Sequence, residues 1–294
     1  MEIFMKEKTL PNLLLATSLI LLSPSLFAAT PLSIPKTCKD VLLGIQNRFN
    51  GYDSWRMIKM TISDEHGNVK TRTITATHRN NGINRILRSR VLVPNELADT
   101  EAYALDYFEK GKNDKVWRYL PASKKLLDVQ SKDLSSRLNG SDMNIGEMLT
   151  RMASDYDCKT LGEGEYQGLS VYKIYVNPNN QQEIIRLGLR DGEIWVEKTT
   201  FLPVYSVFNA DSPNEQRIFE TFHHHWVDGV YVSNQFNIAT LKDGRKVSHS
   251  VFQVYGERFN LGLPTEWYDV KDLGNLQSTW RSYRPPEFPL TTLP

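Results

Sequence analysis

The stretch "FHHHWV" sets His223, His224 and His225 side by side. Converging imidazoles could hold zinc, which takes three or four ligands in tetrahedral geometry. One alone could act as a general base, because an imidazole titrates near neutrality. Cys38 and Cys158 are the only thiols. They can form one disulfide, or stand as reactive thiols beside Lys39 and Lys159. The string "NGSD" puts Gly140, Ser141 and Asp142 together. A hydroxyl beside a carboxylate in a loop is a turn or capping signal far more often than a nucleophile. The sequence contains no G-x-S-x-G, H-E-x-x-H, P-loop or G-x-G-x-x-G string. No catalytic residue, metal site or cofactor is therefore assigned.

What the histidines can do depends on the strands that carry them, since alternate strand residues face opposite sides. Asp191-Gly192, Asp228-Gly229 and Asp243-Gly244 read as two-residue hairpin turns, because glycine supplies the positive φ of primed turns. Taken as loops, the last two fix a register. Val227 pairs with Val230, His225 with Val232 and His223 with Asn234; Phe236 then faces Val251, and Ile238 faces His249. One face carries Phe219, Val232, Phe236, Ile238, Val251 and Tyr255, and is assigned to the covered side. His223 and His225 point there, and His224, Ser248 and Ser250 point away. His249 lies two strands over, out of reach as a third ligand. The histidines read as strand positions with polar tips.

The rest of the chain repeats that two-residue period. Strand-like runs fill residues 56–79, 84–93, 101–111, 114–130 and 169–255, with Pro121-Ala122-Ser123 at one hairpin tip. Two segments break it. Val41, Leu42, Ile45 and Phe49 have helical spacing that ends near Gly51. Ile145, Met148, Leu149 and Met152 fall on one face of a second expected helix, with Asn144 and Glu147 as its capping box. The fold class is mainly β with inserted helices, α+β. A sheet of this kind buries one face cheaply, and helices are its natural cover.

The chain has 294 residues, a net charge of +1 and 40% hydrophobic residues, enough for a core and without the basic excess of a nucleic-acid binder. Lys6 and Lys8 precede an apolar run from Leu13 to Leu22 and the small pair Ala28-Ala29. This is the layout of a secretory signal peptide over residues 1–28, cleaved after Ala28. Residues 29–294 then form one exported domain, expected to be monomeric, with an irregular proline-rich tail from about 281. In an oxidising compartment Cys38 and Cys158 are expected to pair.

The segments "KVWRYLPASKKLLDVQ", "LNGSDMNIGEML" and "DYDCKTLGEGEYQGLSVYKIYVNP" resemble the outer-membrane lipoprotein-sorting protein family, the LolA-like group. The likeness continues through "IWVEKTTFLPVYSVF" and "VDGVYVSNQFNIAT". The family often has aromatic residues beside "GSD"; here Leu138, Asn139, Met143 and Ile145 stand there. The resemblance implies a half-open antiparallel β-barrel with helices over its concave face. It implies a periplasmic, non-enzymatic carrier that holds lipid or lipoprotein acyl chains in an apolar cavity. It also implies a possible partner, an inner-membrane transporter of the resistance-nodulation-division (RND) type. The candidate cavity residues are Trp117, Tyr119, Ile145, Met148, Leu149, Met152, Phe219, Val232 and Phe236. Gly140, Ser141 and Asp142 are the family motif. Two further readings are a periplasmic hydrolase with an unrecognised site and a lipid-sensing module similar to RseB.

Overall fold

A computed structural model describes residues 37–109 and 111–286. The signal peptide and cleavage site expected at residues 1–28 lie outside them, as do residues 287–294 of the expected tail. Helix α1 (Cys38–Asn47) opens the described chain. Thr37 caps it, accepting the Asp40 amide, while the Asp40 carboxylate accepts the Thr37 amide. Val41 and Leu42 are buried beneath it. Phe49 falls beyond the helix and is exposed.

Strands β1 (Asp53–Asp64), β2 (Val69–Asn80), β3 (Asn84–Val93), β4 (Glu101–Tyr107), β5 (Lys115–Leu120) and β6 (Lys125–Val129) form an up-and-down meander. A crossing segment, residues 130–155, leads to β7 (Tyr156–Tyr166) and β8 (Leu169–Pro178). Helix α2 (Gln181–Leu187) follows, then β9 (Leu189–Glu197), β10 (Pro203–Ala210), β11 (Glu215–Val227), β12 (Val230–Lys242) and β13 (Arg245–Phe259). All 13 strands join one antiparallel sheet in the order β6-β5-β4-β3-β2-β1-β13-β12-β11-β10-β9-β8-β7. β6 and β7 are its open edges. Arg85 of β3 and Val176 of β8 line the same cavity although eight strand steps separate them. On a flat sheet those steps would span roughly 38 Å, so the sheet curls.

The expected Asp191-Gly192 turn does not form. Asn180 accepts the Glu183 amide at 2.9 Å and starts α2, and Gly188 ends it with a left-handed φ of 64°. Gly192 then lies inside β9, where a Cβ would meet the Val207 carbonyl and the Phe208 ring. The other two turns form as read: Asp228-Gly229 and Asp243-Gly244 carry positive φ at both residues, the signature of a type I′ turn.

The register beyond the second turn differs from the sequence reading. Leu241 pairs with Lys246, but Thr240 pairs with Ser248, so Val247 is a bulge. Phe236 therefore faces Phe252, and Ile238 faces Ser250. A one-residue slip exchanges the two faces of a strand. Ser248, Ser250 and Phe252 point inward, and Val251 does not. A second shift, at Gly256 with φ 59°, turns Glu257 and Phe259 inward while Tyr255 packs on the outer face.

The expected helix over 145–152 is also absent. The crossing segment is extended chain with short 3-10 turns, one of them Ile145–Met148. Its amides bond away from the turn: Ile145 N–H donates to Ser136 O and Gly146 N–H to Leu134 O. Gly146 lies against the Arg186 carbonyl, where a Cβ would collide. The inner face is thus covered by α1 over β7 and β8 and by this irregular strap, rather than by long helices. On the outer face, Trp267, Tyr268 and Trp280 of the C-terminal segment bury Trp55 and Met57. Cys38 and Cys158 are joined, with Cα atoms 5.9 Å apart, and tie α1 to β7.

Candidate functional site

Two cavities of about 330 Å³ each lie between the inner face and the strap. Met143 and Met148 of the strap line both, so one segment roofs the two spaces. Ile58 and Met60 of β1, Val116 of β5, Phe236 of β12 and Phe252 of β13 wall the first. Leu42, Phe208, Phe219 and Ile238 wall the second. Each falls at the lower end of the roughly 300–1,000 Å³ seen for ligand pockets.

The strap is held by polar groups at its margins. Asp142 is fully buried. Its carboxylate accepts from Thr240 Oγ1 and Ser250 Oγ, both at 2.6 Å, from Arg137 Nη1 at 2.5 Å, and from Ser248 Oγ. Burial opposes its ionisation, but these donors outweigh it and hold the carboxyl below its ordinary range. Glu147 accepts from Arg217 Nη1 at 2.6 Å and from the Asn144 amide at 2.7 Å, one arm of the expected capping box. Asp106 accepts the Thr150 amide at 3.1 Å, and Arg85 donates to both Asp106 and Met148 O. Between these pins Met143 and Met148 line both cavities, as do Asn50 and Arg85. Methionine is flexible and repacks easily.

Most of the expected cavity residues converge here. Val232, Phe236 and Met148 line the first cavity; Phe219, Leu149 and Met148 line the second. Ile145 packs with Leu134, Ala104 and Val116 beside them. Met152 is half-buried just before the 3-10 turn Ala153–Asp155. Trp117 and Tyr119 are elsewhere. They alternate with inward Val116, so they face out: Trp117 meets the Tyr103 ring at 5.7 Å, and Tyr119 abuts Gly274 of the C-terminal segment. The sequence reading missed Phe252, Ser248 and Ser250, hidden by the bulge at Val247.

The histidines do not form a common site. His223 has a φ of +57° and is exposed, as is His225, whose Nδ1 lies 3.0 Å from the His223 carbonyl. His225 pairs with Val232 as the sequence reading has it, but both side chains are exposed and neither lines the cavities. His224 hydrogen-bonds Thr221 Oγ1 at 2.7 Å and stacks on Tyr231. Among the described residues no three His, Cys, Asp or Glu side chains gather as a metal set. His78 does reach the first cavity, with Nδ1 2.7 Å from Ser54 Oγ. Burial, followed by the charges of Arg56 and Arg85, pushes its pKa down to about 3. So weak a base takes a proton poorly from a serine.

The curled, open antiparallel sheet is similar in fold to several solved structures. A LolA superfamily protein from Nitrosomonas europaea is 15% identical, with a TM-score of 0.60 over 81% of this chain and 100% of that one. A putative outer membrane lipoprotein-sorting protein domain from Vibrio parahaemolyticus is 15% identical, with a TM-score of 0.68 over 81% and 96%. A DUF1329 family protein from Desulfovibrio piger is 19% identical, with a TM-score of 0.71 over 80% and 97%. No curated protein matches. A family model described as "Uncharacterized protein" matches residues 88–275, and the chain belongs to that family. The LolA-like resemblance read from the sequence is borne out in the fold.

Proposed function

We propose that this protein is a periplasmic carrier that shields the acyl chains of a lipid or lipoprotein in the paired cavities. The observation that carries the reading is the shared roof: Met143 and Met148 line both cavities while polar pins hold the strap around them. An acyl chain in water costs about 0.8 kcal/mol for each exposed CH₂, so transfer through an aqueous space needs such a shield. Repacking the two methionines would open the cavities into one another without breaking the pins. The periplasmic location follows from the expected signal peptide. A monomer handing cargo to or from an inner-membrane RND-type transporter is the arrangement the family resemblance suggests.

Native mass spectrometry of detergent-free protein from the periplasm tests the reading. A co-purifying lipid mass that is lost on delipidation, and regained on incubation with vesicles, is the expected result. A bare protein that takes up no lipid from vesicles overturns it.

A further inference from the structure

One end of the first cavity is charged. Arg48, just after α1, lines it with Asn50, Ser54 and Arg56. The Arg48 guanidinium is held by two carbonyls, Tyr231 O at 2.9 Å and Phe49 O at 3.4 Å. Among the described residues no carboxylate lies within ion-pair distance of it. Arg56 sits alongside and spends its charge on Glu257 at 3.1 Å, while its other nitrogen donates to Ser54 Oγ at 3.2 Å. The Gly256 bulge is what brings Glu257 to this face. Two guanidiniums thus share one carboxylate. Arg85 and Arg88, which also line this cavity, are each paired, with Asp106 and Glu101, and His78 stays neutral because burial, with the charges of Arg56 and Arg85, holds its pKa near 3. Burial also lowers the pKa of Arg48, Glu257 opposes, and the like charge of Arg56 adds to the lowering. A half-buried cation facing an apolar space gains most from an anion placed against it.

Resting on the carrier reading, we infer that the ligand is an anionic amphiphile, its carboxylate or phosphate head at Arg48 and its chain under Met143 and Phe236. The arginine fork suits either head group, because a planar guanidinium can meet two oxygens at once. Both carbonyls are met by Nη1, so Nη2 and Nε of Arg48 are the donors available. Such a head group would make the local charge balanced. A neutral lipid of equal chain length fills the same apolar wall but leaves the surplus charge in place.

The test compares ligands that differ only in the head. Displacement of a neutral polarity-sensitive dye is measured with oleate against oleyl alcohol, and with dioleoyl phosphatidic acid against dioleoylglycerol. The anionic member of at least one pair should bind about tenfold tighter or more, the ratio expected of a charge-assisted hydrogen bond. Which pair shows the larger ratio tells carboxylate from phosphate. Arg48→Gln should bring the ratio toward one, and Arg48→Lys should retain most of it. If anionic and neutral members bind wild type equally, the inference fails and the carrier reading stands. If none of the four displaces the dye, the carrier reading fails with it. Should Arg48→Gln not fold, the wild-type ratios and Arg48→Lys still decide.

Discussion

Ser250 Oγ donates to Asp142 Oδ2 at 2.6 Å and accepts the Asp142 amide at 2.9 Å, so one hydroxyl grips both the backbone and the side chain of the aspartate. The aspartate belongs to the strap and the serine to the middle of the sheet. This pair, with Ser248 and Thr240 beside it, fixes where the strap crosses the inner face.

Asp142→Asn should therefore destabilise the protein by roughly 3 kcal/mol, as when one partner of a buried charged network is removed. The amide cannot accept from three hydroxyls and Arg137 at once. Chemical denaturation measures the loss, and hydrogen exchange should quicken first in residues 138–149. A variant with an unchanged denaturation midpoint would show that the network does not anchor the strap.

Much of this was legible in the sequence. Strand periodicity, two of the three Asp-Gly turns, the apolar spacing of the first helix and the "NGSD" motif all carry local signals. What was not legible is non-local. The bulge at Val247 has no signature in "RKVSHSVF", yet it decides whether Ser248 and Ser250 or Val247 and Val251 face the cavity. The helix expected at Ile145–Met152 had the right apolar spacing. Its backbone is claimed by distant carbonyls and by Asp106, contacts that no local pattern announces. Trp117 and Tyr119 looked like pocket aromatics, but alternation from Val116 sends them outward, Trp117 to the Tyr103 ring and Tyr119 to Gly274 of the C-terminal segment.

The contribution of His78 to stability should fall as the solution is acidified from about pH 6.5. The folded pKa of His78 is depressed to about 3, mainly by burial. The unfolded chain then binds a proton that the folded chain refuses, at a slope of about 1 kcal/mol per pH unit once the free imidazole is charged. Asp114 works the other way: burial lifts it to about 6, so its contribution favours the fold below that pH and is lost as pH rises through it. Denaturation of wild type and His78→Gln at pH 7.5, 6 and 5 separates them. The variant should lose less stability between pH 6 and 5; equal slopes would refute the assignment to His78.

The disulfide spans a sequence separation of 120 residues. In the chain-entropy view, closing so long a loop lowers the entropy of the unfolded chain and stabilises the fold by up to about 5 kcal/mol. Protein isolated without reductant should resist alkylation at both cysteines. Cys38→Ser with Cys158→Ser should unfold at markedly lower denaturant. Two freely alkylated thiols in the native, unreduced protein would contradict the pairing.

Met148→Glu tests the roof directly. Met148 lines both cavities and is flanked by Arg85, whose Nη2 donates to the Met148 carbonyl at 2.9 Å. That contact is to the backbone, so the substitution leaves it possible while setting a carboxylate among Val116, Phe236 and Phe252. A charge there must stay hydrated or lose its solvation, and either opposes an acyl chain in the same space. Binding of a fluorescent fatty acid should weaken by about tenfold or more, the equivalent of one or two CH₂ groups kept wet. Met148→Leu preserves the apolar volume and should bind within about twofold of wild type. Circular dichroism and a retained cooperative transition confirm that the sheet still folds. A folded Met148→Glu variant with wild-type fatty-acid affinity would move the ligand out from under the strap.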